Sequence, residues 1–564
     1  MVLNTSESTP WEAYRTTTYR MKETREGVVN IRLDERSPRP GPMAYITADN
    51  PGSIQLSDQE NKHRRAALNT ELSASSYDLV AGESVDDLDQ WPTERGFWVC
   101  GIDRDRARSV GRRFDQHAIV FVDASGAVEL VDCRRPPSTR SQRVLESLRL
   151  GVVPDGSVDH FSVGRHDEMQ EVDEELEAVS RGSSGLRTFL ADYGVGKTHL
   201  LELIRERAMA RGFLCARVVL DTVDIAPSHP GRVYRALMSD LRYPDRPSDR
   251  QPGLRRLFEQ ALNAPDARQL FWPDEQVSWR DRQAQLAHGE HLYLTPALSH
   301  FDQLKQLDDR DTNAGEKNAV ADLLLRWIEG RPFGANRDLD ARVRQLSKER
   351  RKIYSLKDYR PWARIYAYLL SGLAELARSC GYKGLVILVD EAERHALLSK
   401  QNRHFAQTLF QALAAATLPE EELPFERHGF AEGGYGILRE LPARFAEGRG
   451  LYVAMAMTPA SEEQRFLDRC VPAAHQRELS ILSGSDFDDL AQRVIEIYIA
   501  SYPHLDWPDQ LWAPLRQIIV GLYERGLLNT PREAMKFLVE FLDITRHDRC
   551  SVGLLIDDLR RRLR

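Results

Sequence analysis

Residues Leu186–Thr198 combine residue types and spacing that could hold a phosphate chain. The run LRTFLADYGVGKT reads as a short apolar strand that enters a glycine-containing turn and ends in Gly-Lys-Thr. Backbone N–H groups of such a turn and of the helix after it form a concave cluster of positive partial charge. Lys197 would reach the β- and γ-phosphates of a nucleotide, and the Thr198 hydroxyl would ligate Mg²⁺. The sequence therefore predicts a nucleoside triphosphate site.

The turn departs from the usual pattern at one position. Ala191 stands where glycine is usual, six residues before the lysine, so Gly194 and Gly196 must supply the positive φ that the turn needs. Apolar residues follow on one helical face up to Gly212, which completes the strand–loop–helix order. The residues expected to contact the nucleotide are Tyr193, Gly194, Val195, Gly196, Lys197, Thr198 and His199. A glycine turn that binds nothing is the alternative.

A second element that could do chemistry is the apolar run Leu385–Val389, followed by Asp390 and Glu391. Five apolar residues before an acidic pair predict a strand that is buried on both faces and delivers carboxylates to the ligand-binding edge of a sheet. We expect Asp390 to hold Mg²⁺ and Glu391 to polarise the attacking water. The strand is expected to lie next to the one that carries the phosphate loop. A strand that merely ends in aspartate is the alternative.

Two further side chains are candidates for catalysis. Thr458 follows the apolar run Leu451–Met457, and its hydroxyl could bond the γ-phosphate or the attacking water. Arg477 precedes a predicted strand, Glu478–Ile481, and could act as an arginine finger on the nucleotide of a neighbouring subunit. Two other arginines compete for that role: Arg465 and Arg469. A strand-ending threonine and ordinary surface arginines are the alternatives.

The segment Thr530–Asp543 carries a signal for the start of a helix. Thr530 at the N-cap, proline at N1 and Glu533 at N3 form a capping box. A cation in the first turn interacts unfavourably with the helix dipole. Arg532 in that turn suggests a compensating anion, so we expect it to touch the γ-phosphate, with a plain surface position as the alternative.

Around these motifs, apolar runs alternate with helical stretches, as in a parallel sheet covered by helices. The predicted strands are Thr188–Ala191, Ala216–Leu220, Leu385–Val389, Tyr452–Met457 and Glu478–Ile481. The long stretch between the second and third strands reads as amphipathic helices, including Ala319–Gly330 and Pro361–Cys380. We interpret it as a helical insertion at one edge of the sheet, since a structureless loop of that length would be unusual.

The N-terminal part of the chain has a different character. Residues 1–40 are polar and are expected to be partly extended. The elements predicted after them are strands at Ala44–Ala48, Phe97–Ile102, Ala118–Asp123 and Ala127–Cys133, and helices at Asp58–Leu72 and Arg104–Phe114. The run CRRPPSTRS then marks a boundary. We therefore predict a small α+β domain at 1–132, a linker at 133–141, a nucleotide-binding core at 142–484 with an insertion at 225–380, and a helical lid at 485–564.

Composition narrows the class of protein. The chain has 564 residues, of which 42% are hydrophobic, enough for several domains with substantial cores. Its polar N-terminus and the lack of a long apolar run predict a cytoplasmic protein without a membrane partner. A net charge of −8 does not favour a dedicated nucleic-acid binder, although DNA contact through Arg342–Lys352 or Arg560–Arg564 stays open. Six widely spaced cysteines indicate reduced thiols rather than a zinc site or a disulfide framework.

Several of these motifs together resemble known families. Gly164-Arg165, GVGKT, LVDEAE, MTP and TPREAMKFL resemble the AAA+ class of P-loop proteins, close to its origin-recognition and STAND branches. RVLESLRLGVVP, FSVGRHDEM, ADYGVGKTHLLELI and GLVILVDEAERH resemble the ATP-binding P-loop family of bacteriophage-exclusion (BREX) systems over about residues 142–564. The resemblance implies an AAA+-type α/β fold with a parallel sheet, a helical insertion and a helical lid.

That family likeness also implies cofactors and partners. ATP and Mg²⁺ would bind, and hydrolysis would be slow or stimulated by partners, which would be other proteins of an anti-phage defence system. An arginine finger would in addition imply a homo-oligomer. The leading hypothesis is an ATP-hydrolysing switch or assembly factor. The alternatives are a STAND-like regulator that holds its nucleotide as a latch, and an origin-recognition-like DNA-loading ATPase, for which few residues remain after Asp543 to build a DNA-reading domain.

The N-terminal part has a likeness of its own. AYITADNPGS, SDQENKHRRAALNTEL, WPTERGFWVCGI and RRFDQHAIVFVD resemble a small bacterial domain of unknown function. Its recurring polar positions correspond to Thr47, Asn50, Asn61, Arg64, Glu94 and Gln116. These groups either converge on a ligand or satisfy backbone groups at strand ends. Fusion to the nucleotide-binding part suggests a sensor or docking role.

Overall fold

A computed structural model gives the fold of most of the chain. It describes residues 10–23, 27–75, 77–134, 138–246, 253–272, 285–286, 289–306, 313–332, 334–427, 441–442, 444–445, 449–459, 461–503, 511–547, 556, 558–559 and 561. The chain divides into two compact units, the first formed by residues 1–145 and 495–512 and the second by residues 146–494 and 513–564.

Twelve strands lie in the described residues. They are β1 (Thr17–Glu23), β2 (Gly27–Ile31), β3 (Met43–Thr47), β4 (Asp78–Asp86), β5 (Glu94–Cys100), β6 (Ala118–Val122), β7 (Val128–Asp132), β8 (Gly185–Leu190), β9 (Leu214–Val219), β10 (Leu385–Asp390), β11 (Leu451–Met457) and β12 (Gln476–Glu478).

The α-helices of the same residues are α1 (Pro10–Arg15), α2 (Asp58–Ser73), α3 (Arg104–Arg113), α4 (Thr139–Leu150), α5 (His166–Ser180), α6 (Lys197–Ala210), α7 (Pro230–Asp240), α8 (Arg255–Leu262), α9 (Pro265–Phe271), α10 (Leu294–Lys305), α11 (Ala314–Ile328), α12 (Asn336–Ser347), α13 (Ala363–Ser379), α14 (Lys400–Thr417), α15 (Ser461–Asp468), α16 (Gly484–Ser501), α17 (Trp512–Glu524) and α18 (Pro531–His547).

The first unit is built on an antiparallel sheet with the strand order β2-β1-β4-β5-β3-β6-β7. Alternation along β3 sends Ala44 and Ile46 to one face, where they pack in a core with Leu68 of α2 and Val110 of α3. The opposite face carries a second cluster that includes Tyr19, Met21, Tyr45, Trp98 and Val120. The sheet therefore has one face covered by helices and one rich in aromatic rings.

Most elements predicted for this unit are confirmed within a few residues: β3, β5, β6, β7, α2 and α3. The strand β4 was not predicted, because glycine and acidic residues within DLVAGESVD lower its apparent strand propensity. Gly82 in this strand has a structural reason, since a Cβ there would lie 2.7 Å from Cδ1 of Trp98. The hairpin of β1 and β2 likewise falls in the polar region that was expected to be only partly extended.

The second unit contains a fully parallel sheet in the order β12-β8-β11-β10-β9. Every residue of β10 and of β11 is buried, which places these strands at the centre of the sheet. The expectation that β8 and β10 are adjacent is wrong, because β11 pairs with both of them and lies between them. Chain order alone does not reveal strand order when connections cross over.

The fifth predicted strand is also displaced. Residues Gln476–Glu478 pair with β8, whereas Glu478–Ile481 was predicted. Ile481 is 86% exposed, so its apolar side chain does not belong to a core. Arg477 consequently lies within the strand and not before it.

Helices surround this sheet as the sequence predicts. Seven helices of the described residues, α7 to α13, lie between β9 and β10. They share one continuous core with the strands, in which Leu214 and Ile387 of the sheet belong to the same cluster as Phe258, Tyr293 and Trp327. The described part of the insertion is therefore packed structure and not a loop.

The capping box at the start of α18 is confirmed. The Glu533 carboxylate accepts the N–H of Thr530 at 3.1 Å, and the Thr530 hydroxyl accepts the N–H of Glu533 at 3.3 Å. Ala534, Leu538, Phe541 and Leu542 are buried along this helix.

No helix of the described part of the chain has the length and apolar content that crossing a bilayer requires.

The two basic runs and the cysteines were also singled out in the sequence. Within the basic run 342–352, Arg344 pairs with Asp340, and Arg351 lies 3.3 Å from Glu290. The basic tail Arg560–Arg564, apart from its second residue, and Cys550 lie outside the described residues. The other five cysteines form no disulfide.

His291 links the stability of the second unit to pH. Its Nδ1 accepts the N–H of Leu294 at 3.0 Å at the start of α10, and its ring stacks on Tyr368 with 4.1 Å between centroids. Burial lowers the pKa of this imidazole to about 3. In the unfolded chain the pKa is about 6.5. Between these values only the unfolded state gains the proton, so the free energy of unfolding falls as the pH decreases.

We expect this site to lower the free energy of unfolding by about 2 kcal/mol between pH 6.5 and pH 5. The measurement is the denaturant midpoint of the full chain at pH 7.5 and pH 5. His291→Asn keeps an acceptor but cannot titrate, so its midpoint should fall less than that of the wild type. His63→Asn, at an exposed position of α2, should keep the wild-type fall. Equal falls in wild type and His291→Asn would contradict the assignment.

Candidate functional site

The carboxyl ends of three strands meet at one edge of the parallel sheet. Leu190 at the end of β8 lies opposite Met457 at the end of β11, and Met455 lies opposite Val389 of β10. The chain segments that leave these ends are therefore neighbours. They carry the phosphate loop, residues 191–198, together with Thr458 and the acidic pair after Val389.

The phosphate loop has the backbone shape that its glycines permit. Gly194 and Gly196 have φ values of +86° and +111°, while Ala191 is not among the described residues with positive φ. Alanine is therefore tolerated at the first position, because the left-handed conformations fall on the two glycines. A Cβ on Gly194 would also lie 3.1 Å from Cγ2 of Thr530, so the start of α18 approaches the loop closely.

Lys197 is held by neutral oxygens only. Its Nζ donates to the carbonyls of Ala191 at 2.7 Å and Asp192 at 3.1 Å, and to the hydroxyl of Thr458 at 2.9 Å. Burial lowers the pKa of this ammonium, and the negative charges of nearby carboxylates act in the opposite direction. Within the part of the chain that the structure describes, no carboxylate forms an ion pair with it. A buried ammonium in this state suits an anionic ligand.

Thr198 and Asp390 supply adjacent oxygen atoms. The Thr198 hydroxyl donates to Oδ2 of Asp390 at 2.9 Å, and the Asp390 carboxylate is buried. Arg217 of β9 donates to the same oxygen at 2.8 Å. A hydroxyl and a carboxylate next to a phosphate site are the hard donors that Mg²⁺ takes, so this pair fits the metal role expected for it.

The sequence analysis did not identify Arg217 as a residue of the site. It is the single charged residue in the otherwise apolar strand LCARVV, and that exception was the signal that could have found it. Its guanidinium also lies 3.7 Å from Oε2 of the buried Glu202. The arginine therefore orients the Asp390 carboxylate from the neighbouring strand.

Thr458 connects Lys197 to a second glutamate. Its hydroxyl donates to Oε1 of Glu393 at 2.7 Å while accepting from the lysine. The sequence interpretation also missed Glu393, although its signal was the second glutamate in LVDEAE. Its Oε2 is a buried atom without a hydrogen-bond partner in the described residues. The loop, β11 and the segment after β10 thus share one polar network.

Glu391 lies in the wall of the same cavity as the phosphate loop, but its carboxylate is paired with Arg394. Its φ is +58°, and its N–H donates to Oδ1 of Asp390 at 3.0 Å. Its own Oε2 accepts from Nε of Arg394 at 3.0 Å. A left-handed conformation is strained for glutamate, and it occurs here at a residue that lines the cavity.

The phosphate-loop cavity lies entirely in the second unit. Residues 193–199, Glu391 and Arg532 line its polar part. Its remaining wall is mostly apolar and includes Leu148, Val152, Val153, Phe161, Val163, Leu482, Leu490 and Met535. A polar end on backbone N–H groups and an apolar end suit a nucleotide, with its phosphates at the first and its base at the second.

His199 and Arg165 also line this cavity, and each is held by hydrogen bonds. Burial lowers the pKa of His199 to about 4, and its Nε2 lies 2.6 Å from the Ser162 hydroxyl. Arg165 donates to the carbonyls of Val195 at 2.7 Å and Ser480 at 2.5 Å. Because its buried guanidinium is hydrogen-bonded to the loop backbone, Arg165 joins the candidate site, although the sequence marked it only through the family resemblance.

Arg532 bridges α18 and the phosphate loop. Its guanidinium carbon lies 4.8 Å from the centre of the Tyr193 ring, and Nη1 donates to the Tyr193 hydroxyl at 2.5 Å. The side chain therefore lines the cavity, and its contact with a γ-phosphate stays a prediction.

Arg477 does not line this cavity. It lies on the edge strand β12, with Nη2 3.4 Å from Oε1 of Glu171. The competing residues Arg465 and Arg469 are exposed. The structure therefore does not bring an arginine-finger candidate to the chain's own phosphate loop.

The polar residues singled out in the first unit separate into two groups. Asn61 donates to Oδ1 of Asn50 at 3.0 Å, and Arg64 donates to the carbonyls of Ala48 and Phe114 at 2.9 and 2.8 Å. These two serve local structure. The others line a separate cavity of this unit: Thr47, Asn50, Glu94 and Gln116.

The chain is similar to two known families. The family model described as "BREX system ATP-binding protein BrxC/D" matches residues 137–552, which is more than half of the chain. A second model, described as "Protein of unknown function (DUF3293)", matches residues 46–119. No curated protein matches the chain at a significant level. Both likenesses seen in the sequence are therefore confirmed.

The close approach of α18 to the phosphate loop predicts the cost of a side chain at Gly194. A left-handed alanine costs about 1–2 kcal/mol, and the contact with Thr530 adds to it. Gly156→Ala is the matched control, because Gly156 has φ +75° and no atom within 4 Å of its Cβ position. We expect Gly194→Ala to lower the denaturant midpoint of the full chain more than Gly156→Ala does. Equal midpoints would show that the two segments do not touch.

Proposed function

Because the chain belongs to the family of BREX system ATP-binding proteins BrxC/D, we propose that it is an AAA+-type ATPase that works as a switch or assembly factor in an anti-phage defence system. Its partners would be other proteins of that system. The proposal of ATP hydrolysis rests on one observation. Four side chains converge at one edge of the parallel sheet: Lys197, Thr198, Asp390 and Thr458.

The proposed binding roles follow from the hydrogen bonds. Lys197 would exchange its neutral carbonyl and hydroxyl partners for phosphate oxygens, which are stronger acceptors because they are charged. Thr198 and Asp390 would hold Mg²⁺, which neutralises charge on the phosphates when bound. Arg532 at the start of α18 would add a cation toward the γ-phosphate.

The proposed chemistry uses the two polar groups that flank the lysine. Glu391 would accept a proton from the attacking water once its carboxylate leaves Arg394. Thr458, fixed by Glu393, would position that water or a γ-phosphate oxygen. Arg477 would act on a neighbouring subunit's nucleotide only after its pairing with Glu171 breaks.

One observation favours a second function. The ion pair between Glu391 and Arg394 occupies the proposed base, as expected for a protein that holds its nucleotide as a latch and rarely turns it over. Turnover measurements separate the two functions. If the wild type hydrolyses ATP no faster than Glu391→Gln while both retain nucleotide, the latch is correct.

We expect Lys197→Ala to weaken ATP binding by about 10- to 100-fold, because a charge-assisted hydrogen bond in a buried site contributes about 1.5–3 kcal/mol. The measurement is titration of the full chain with a fluorescent ATP analogue in the presence of magnesium. Lys400→Ala, at an exposed position, is the control and should bind as the wild type does. If Lys197→Ala binds ATP as tightly as the wild type, the proposed function is wrong.

For the catalytic base, we expect Glu391→Gln to reduce steady-state ATP hydrolysis by at least about 100-fold with nucleotide binding retained. Glu393→Gln is the matched control, since glutamine still accepts the Thr458 hydrogen bond, and it should lose less than about tenfold. A larger loss in Glu393→Gln than in Glu391→Gln would assign the base to Glu393.

A further inference from the structure

A second cavity lies within the first unit, on the aromatic face of its antiparallel sheet. Its volume is about 270 Å³. Since a water molecule occupies about 30 Å³ in the liquid, this space suits a ligand of roughly nine non-hydrogen atoms. We use the name aromatic cavity for it, after four rings in its wall: Tyr14, Tyr19, Tyr45 and Trp91. It belongs to the part of the chain that includes the match to a domain of unknown function.

The rings are fixed by contacts of their own. Tyr45 donates its hydroxyl to the carbonyl of Glu94 at 2.9 Å, and its ring centre lies 5.5 Å from that of Tyr19. The Tyr19 hydroxyl reaches the carbonyl of Tyr14 at 3.4 Å. Rigid aromatic faces presented to a cavity attract the positive charge of an organic cation.

Glu94 is the acidic group of this wall. Its Oε1 accepts two hydrogen bonds at 3.0 Å, from Nδ2 of Asn50 and from Nε1 of Trp91. Its Oε2 has no hydrogen bond among the described residues. Burial raises the pKa of this carboxyl to about 7, although the two hydrogen bonds oppose the shift. The half-buried carboxylate thus has no compensating charge among the described residues.

Asp49 is a buried carboxylate near Glu94, and it has a cationic partner. Nε of Arg65 lies 3.2 Å from its Oδ1. Glu94 has no such ion pair in the described residues, and none of the residues that line the aromatic cavity is lysine or arginine. The other titratable groups of the wall are the three tyrosines, whose pKa values burial raises, and His117, which lies 3.2 Å from the Ser53 hydroxyl.

From a single carboxylate, four rings and the lack of lysine and arginine among the described residues of the wall, we propose that the aromatic cavity binds a small organic cation, a primary amine or a guanidinium. The charged head lies on the side of Glu94 whose oxygen makes no hydrogen bond, and the apolar part of the ligand lies against the rings. A neutral ligand of the same shape gains the apolar contact but leaves the carboxylate uncompensated. Charge therefore decides the specificity of this site.

The test compares cations with neutral molecules of the same shape on the full chain at pH 8, where Glu94 is mostly ionised. The probes are benzylamine, butylamine and methylguanidine, against benzyl alcohol, butanol and methylurea, each followed by ligand-detected NMR titration. We expect at least one cation to bind at least tenfold more tightly than its neutral counterpart. If no cation binds more tightly than its counterpart, the proposal is wrong.

Two variants assign the binding to Glu94. Glu94→Gln keeps the acceptor for Asn50 and Trp91 but lacks the charge, so it should lose at least tenfold in cation affinity. Glu83→Gln, on β4 and paired with Arg20, should keep wild-type affinity. The denaturant midpoint of Glu94→Gln at pH 8 should not fall, because a desolvated charge is removed. If it does fall, Trp91→Leu replaces it, with the same loss expected. Cation affinity that survives in both variants would overturn the proposal.

Discussion

The buried ammonium of Lys197, paired only with neutral oxygens, is the interaction on which the second unit depends. Its three acceptors come from two strand ends, so one side chain ties the exit of β8 to the exit of β11. Two loop carbonyls and the Thr458 hydroxyl thus surround this charge without neutralising it. A carboxylate at ion-pair distance would have neutralised this charge and made the site a poorer receptor for an anion.

A second constraint acts on the acidic side of the site. Asp390 receives a hydroxyl and a guanidinium on the same oxygen and a backbone N–H on the other, so its orientation is set before any ligand arrives. The arginine comes from the adjacent strand in the sheet. Two of the three donors, Thr198 and Arg217, therefore come from segments that are distant in sequence.

The sequence predicts those features whose signals lie in contiguous residues. The phosphate loop, the buried strand before Asp390 and the capping box of α18 each depend on contiguous residues, and the structure has all three elements. Arg217 and Glu393 each leave a local signal, but their partners depend on which strands are neighbours, and periodicity carries no such information. The interposition of β11 between β8 and β10 was missed for the same reason. The fifth strand was misplaced because the edge strand pairs through polar residues, whereas the apolar Ile481 beyond it is exposed.

Arg165 has a mechanical consequence. One guanidinium accepts no hydrogen bond but donates to two carbonyls, one inside the phosphate loop and one in the segment that follows β12. The conformation of the loop and the position of that segment therefore depend on each other through Arg165. A shift of either one by an ångström stretches a hydrogen bond of the other, so an event at the rim of the sheet changes the geometry in which phosphates are received.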